Sequence, residues 1–137
     1  MRQATHADIP HVMELGRRFA DEAGVTGEVG WDDESVRSLL GMLIDSDDGI
    51  LLVGKASIFG GLVFPHPFNN SVKIFQELFW RSEGFEGLKL LAEGEKLAKA
   101  RGATRFLMLD IATMPDLEKL YTRLGYRLAE RTFIKEI

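Results

Sequence analysis

Apolar residues recur at near-helical spacing through Ile9, Val12, Met13, Phe19, Ala20 and Ala23, which predicts a first amphipathic helix after a short strand at Met1 to Ala4. Asp8 is the expected N-cap, with Pro10 in the first turn where its missing N–H breaks no internal bond, and Gly24 is a natural stop. Trp31-Asp-Asp-Glu34 leads into Val36, Leu39, Leu40, Leu43 and Ile44, a second helix whose acidic start suits the positive end of the helix dipole. Asp45 to Gly49 reads as a turn.

From Ile50 the period becomes that of strands. Ile50 to Val53 and Ser57 to Phe64, joined by a turn near Lys55, form a predicted hairpin, and Pro65 to Asn70 reads as a loop. A longer strand is expected over Val72 to Trp80. Strict alternation would put Val72, Ile74, Gln76, Leu78 and Trp80 on one face and Lys73, Phe75, Glu77 and Phe79 on the other. Both faces are largely apolar, the mark of a central strand. Helical spacing returns at Leu90, Leu91, Gly94, Leu97 and Ala98 and ends at Arg101-Gly102. Phe106 to Leu109 reads as a buried parallel strand, Pro115 to Leu124 as a short helix closed by Gly125, and Tyr126 to Lys135 as a final antiparallel strand.

The chain has 137 residues, 45% of them hydrophobic, enough for one domain spanning 1–137 that buries roughly 68% of its unfolded surface. No cysteine is present, so thiolate nucleophiles, thiolate metal sites and disulfides drop out, and any catalysis must use oxygen or nitrogen groups. A formal net charge of -4 disfavours a nucleic-acid partner. The apolar runs are too short to cross a bilayer and the N-terminus has no signal pattern, so the expectation is a soluble, cytoplasmic protein without a membrane partner. His6, His11 and His66 are too scattered for a metal site. Asp45 to Asp48 lacks the alternating ligands of a calcium loop. The Phe64 to Phe68 segment reads as a surface loop.

One segment carries the most chemical information. In Leu120-Tyr-Thr-Arg-Leu-Gly-Tyr126 a tyrosine lies on the last turn of a helix, a glycine ends it, and an aromatic follows. Together with Glu77-Leu-Phe-Trp80, Gly87-Leu-Lys-Leu-Leu91 and Ala98-Lys-Ala-Arg-Gly102, and with the order of elements along almost the whole chain, it resembles the GNAT superfamily of N-acetyltransferases, in particular its small bacterial and phage members. Arg2 and Asp8 match the family's early motif loosely. The resemblance implies an α/β fold with a mixed central sheet of six to seven strands flanked by about four helices. It implies acetyl-CoA as cosubstrate, a primary amine of a small molecule or protein as acceptor, and a homodimer, a state common in the family.

It also implies roles for particular residues. Tyr121 falls where relatives protonate the departing CoA sulfur, and a phenol with an ordinary pKa of about 10 keeps its proton at neutral pH. Glu77 falls where many relatives carry the base that draws the amine proton, and burial would raise its pKa toward a useful value. Read without the resemblance, Tyr121 serves equally as a core aromatic and Glu77 as the partner of a lysine. The cofactor turn of the family, Arg/Gln-x-x-Gly-x-Gly/Ala, matches Arg81-Ser-Glu-Gly84 and then has Glu86 in the small-residue place; shifting by one fits Gly87. A helix N-terminus there offers unpaired N–H groups to a pyrophosphate. Trp80, Arg81, Ser82, Gly84, Phe85 and Gly87 are thus the expected cofactor contacts, with oxyanion donors near Trp80 to Ser82. Glu83 and Glu86 set negative charge beside that turn, and Met114 stands where relatives often have a cofactor-binding asparagine. These departures keep two alternatives open: a GNAT-fold CoA-binding or interaction module without activity, and a phage-type transferase that modifies nucleic acid.

Overall fold

The computed structural model describes residues 1–137. The chain opens with β1 (Arg2–Gln3), a 3-10 turn at His6–Asp8, and three helices, α1 (Ile9–Glu22), α2 (Val25–Val29) and α3 (Asp33–Asp45). A meander follows through β2 (Gly49–Val53), β3 (Ile58–His66) and β4 (Asn69–Arg81), and then α4 (Glu86–Ala100), β5 (Ala103–Leu107) and α5 (Glu118–Arg123). The strands form one mixed sheet in the order β1-β2-β3-β4-β5, antiparallel except for the β4–β5 pair. The expected β2–β3 hairpin, the central β4 and the crossover through α4 to a parallel strand are present, although that strand runs Ala103–Leu107 rather than Phe106 to Leu109 and is at most half-buried.

Two cores sandwich this sheet. Leu90, Leu91 and Ala98 of α4 pack with Tyr121 of α5 on Ile50, Leu52, Phe59, Val63, Phe75 and Trp80. On the opposite face Ile9, Val12 and Leu15 of α1 and Leu40 and Leu43 of α3 pack on Leu51, Val53 and Ile58. Phe59, Phe75 and Phe106 stack across three strands, with 4.2 Å between the last two ring centroids. Full burial of such a ring contributes about 2–3 kcal/mol, so this stack fixes the β4–β5 register firmly.

Four expectations need correction. The sheet has five strands, not six to seven, because Tyr126 to Lys135 forms no strand. Extended, that segment would put Leu128 and Ile134 on one face and Phe133 on the other, with Glu130 and Arg131 between, so neither face offers a continuous apolar stripe to bury. Five α-helices rather than about four are present, since the chain re-enters a helix as α2 after Gly24 takes φ +77. Pro65 to Asn70 is not an open loop but the tip of the β3–β4 hairpin, where His66 pairs with Asn69. Finally, the strict alternation along β4 fails. Gly60 pairs with Phe79 and Gly61 with Glu77, which leaves Leu78 as an extra residue in a β-bulge. Past the bulge the faces exchange: Phe79 joins Leu78 on the α1/α3 side, and Trp80 joins Phe75 on the α4 side.

Candidate active site

The bulge has a sequence cause. A Cβ at Gly60 would lie 2.3 Å from the Phe79 ring, and one at Gly61 would lie 2.3 Å from the carbonyl of Gln76 and 2.4 Å from the Phe75 ring. Only a glycine pair lets β4 press both rings against β3 at this point. On the other side of β4, pairing with β5 stops at Gln76 and Leu107. From Glu77 to Arg81 the β5-facing edge of β4 therefore has no strand partner, and a cleft opens between the two strands. The cleft begins at Glu77, earlier than the Trp80 to Ser82 position expected for oxyanion donors.

Glu77 sits at the apex of the cleft. It is 3% exposed, and one carboxylate oxygen accepts the N–H of Leu109 at 2.7 Å. Burial raises its pKa to about 7, although the Leu109 N–H pulls the other way. No cation pairs with it, so the lysine-partner reading of this residue finds no support. Tyr121, 8% exposed, donates its hydroxyl proton to the carbonyl of the same Leu109 at 2.7 Å. Burial, and then the negative charges of Glu77 and Asp110, hold this phenol above its ordinary pKa. It keeps its proton at any physiological pH. Tyr121 also lies 6.4 Å from the Trp80 ring, centroid to centroid, so it is a core aromatic and a cleft residue at once. Trp80 contributes a buried indole N–H that has no hydrogen-bond partner, an arrangement that costs folding free energy and needs an explanation.

The turn from Arg81 to Gly87 is drawn toward the β2–β3 turn. Arg81 donates to the carbonyl of Ala56 and pairs with Glu22 and Glu83. The N–H of Glu83 goes to the buried Ser57 hydroxyl, and the Glu86 carboxylate accepts the N–H of Ala56. Glu86 is thus turned away from the cleft, and its charge caps a hairpin instead. Ser82 packs on Gly87, where a Cβ would come within 1.7 Å of the Ser82 Oγ. Gly84 takes φ +59 in open space, and Phe85 is 83% exposed. No side chain caps α4, so its first-turn N–H groups have no capping side-chain partner. The structure brings Glu77, Trp80 and Tyr121 together; it fastens Arg81 elsewhere and leaves Ser82, Gly84, Phe85 and Gly87 at the α4 end.

Several participants carry no motif. Leu109 acts only through its backbone, which no side-chain pattern reveals. Leu78 could have been suspected from the Gly60-Gly61 pair opposite it. Thr113, whose hydroxyl donates to the carbonyl of Ala23 at 2.7 Å, ties the segment after β5 to the end of α1. Arg2 and Asp8, matched loosely by motif, form a two-pronged ion pair at 2.6 and 2.7 Å that fastens β1 to the start of α1, away from the cleft.

No protein-family model matches this sequence, and no curated protein matches it significantly. Solved structures do match in fold. A transcriptional regulator from Bacillus halodurans C-125 is 15% identical, with a TM-score of 0.77 over 99% of this chain and 97% of its own. An aminoglycoside N-acetyltransferase solved in complex with CoA is 13% identical, with a TM-score of 0.68 over 99% and 92%. Glucosamine-6-phosphate N-acetyltransferase from Arabidopsis thaliana is 12% identical, with a TM-score of 0.63 over 98% and 95%. The chain has the fold of the GNAT-type acetyltransferases. No helix in it is long and apolar enough to cross a membrane.

Proposed function

We propose that this chain is an acetyltransferase that moves the acetyl group of acetyl-CoA to a primary amine. The observation that carries the reading is the convergence of Glu77 and Tyr121 on Leu109 at the point where β4 and β5 part. The fold shared with acetyltransferases, one of them a CoA complex, supports it.

The residues present suit an acyl-CoA in three respects. The unpaired edge of β4 from Glu77 to Arg81 offers backbone groups to an extended amide-bearing chain. The unpartnered indole N–H of Trp80 is a buried donor in the same core as Tyr121. The uncapped start of α4, with Gly84 and Gly87, suits a pyrophosphate. Arg81 would hold the turn in shape through Glu22 and Ala56 rather than touch phosphate.

In this reading Glu77, with its pKa near neutrality, takes the proton that the amine nitrogen sheds as it bonds to the acetyl carbon. Tyr121 gives its hydroxyl proton to the sulfur as the carbon–sulfur bond breaks. The products are an N-substituted acetamide and the free thiol, and both residues regain their starting states by exchange with solvent. Backbone N–H groups on the open β4 edge would stabilise the oxyanion. The experiment is thiol release from acetyl-CoA in the presence of primary amines. Amine-dependent release that Glu77→Gln abolishes supports the reading, and its absence across acceptor classes counts against it.

A further inference from the structure

A cavity of about 410 Å3 opens between α1, α2, α3 and the sheet, and twelve of its sixteen lining residues are apolar. Phe19, Val25, Trp31 and Val36 form its walls, and Leu78 and Phe79 form its floor. The floor is the bulge itself, the two residues that directly follow Glu77. Without the bulge Phe79 would point to the α4 side, so the bulge shapes this cavity. Beyond Gln76 the β5-facing edge of β4 has no strand partner, while β3 pairs its other edge as far as Arg81, so the way from the cavity to Glu77 runs round that open edge. The one carboxylate in the lining, Asp32, lies at the exposed mouth and gives one oxygen to the N–H and hydroxyl of Ser35.

We infer that this cavity receives the non-reacting part of the acceptor, and that the acceptor is a primary amine carrying an aromatic or branched aliphatic group. The inference rests on the acetyltransferase reading and narrows its substrate class. The volume suits a small organic molecule. A polyhydroxylated or polycationic amine would leave most of its polar groups without partners against this lining, and each one buried so would weaken binding. An apolar body makes no such demand. Its amine, carried across the open edge of β4, reaches Glu77.

The test is calorimetric titration of the whole chain with 2-phenylethylamine and, separately, spermidine, alongside thiol release from acetyl-CoA with each. Val25→Trp, at a position 37% exposed, fills the cavity from its wall; Val29→Trp, 76% exposed, narrows its mouth without touching the core. Phenylethylamine binding at least tenfold tighter than spermidine, and weakened at least tenfold in either folded variant with acetyl-CoA binding unchanged, is the expected result. Equal or tighter spermidine binding, or phenylethylamine binding indifferent to both variants, overturns the inference. The two readings fail separately. Thiol release with spermidine alone would refute the apolar acceptor and leave acetyl transfer standing. Cavity-dependent phenylethylamine binding with no thiol release would support the cavity as a site and refute the transfer.

Discussion

Glu77 and Tyr121 hold the two backbone polar groups of one residue: the carboxylate accepts the N–H of Leu109, and the phenol donates to its carbonyl, each at 2.7 Å. A buried acid and a buried hydroxyl are therefore positioned by a backbone segment that leaves the sheet, not by each other. The arrangement keeps a group able to accept a proton and a group able to give one at the apex of the same cleft.

Glu77 has its pKa pushed up to about 7 by burial, so its basic form grows as pH rises through neutrality. The kcat/KM for amine acetylation is expected to climb between pH 6 and 8. Glu77→Gln should lower it by about 100-fold or more and remove the part of the rise that belongs to this carboxylate. A variant profile parallel to the parent's would exclude Glu77 as the base.

The same shift has a consequence for stability. The folded state holds the Glu77 proton more tightly than the unfolded chain does, so this contribution is complete below pH 4.5 and is lost as pH rises through about 7. Urea unfolding should show a loss of roughly 3 kcal/mol between pH 4.5 and pH 8 from this group, absent in Glu77→Gln. Asp8, held low by Arg2 and the Thr5 N–H, acts in the opposite sense and only below its ordinary range, outside this window.

Tyr121→Phe removes one hydroxyl and leaves the ring against Trp80 and Tyr126. The lost bond to Leu109 should cost about 1 kcal/mol of stability. If the hydroxyl serves the departing sulfur, kcat should fall about 100-fold while the dissociation constant for acetyl-CoA stays within a factor of about two. A loss confined to stability, with kcat intact, would return Tyr121 to a structural role.

Gly87→Ala places a methyl 1.7 Å from Ser82 Oγ and should destabilise the fold by about 1–3 kcal/mol. Most of the clash is with the Ser82 side chain, so Ser82→Gly in the same chain should restore most of that loss. Thermal unfolding of the two single variants and the double variant measures the coupling.

The parts of the fold legible in the sequence were those with a local signature. The helical period of α1, α3 and α4, the β2–β3 hairpin and the doubly apolar β4 can all be read from spacing. What escaped depended on contacts between distant residues. The Leu78 bulge arises from Gly60-Gly61 on a different strand, and it reversed the side-chain assignments for Phe79 and Trp80. Arg81 and Glu86, read as groups at a phosphate site, are claimed by a hairpin 25 to 30 residues away. The last strand was expected over Tyr126 to Lys135 after the Gly125 stop, but Leu128, Phe133 and Ile134 do not share the face it would need. Glu77 and Tyr121 could be singled out by motif position, but their common partner is a backbone and leaves no trace in side-chain pattern.

The central claim is that the cleft between β4 and β5 receives acetyl-CoA, and calorimetric titration of the folded protein with acetyl-CoA tests it most directly. The account predicts one site per chain with micromolar affinity, retained in Glu77→Gln and Tyr121→Phe and weakened when Gly84, at φ +59, is replaced by a bulky residue. No heat of binding at millimolar acetyl-CoA, in a protein whose circular dichroism shows it folded, would contradict the account and leave a GNAT-type scaffold without the activity.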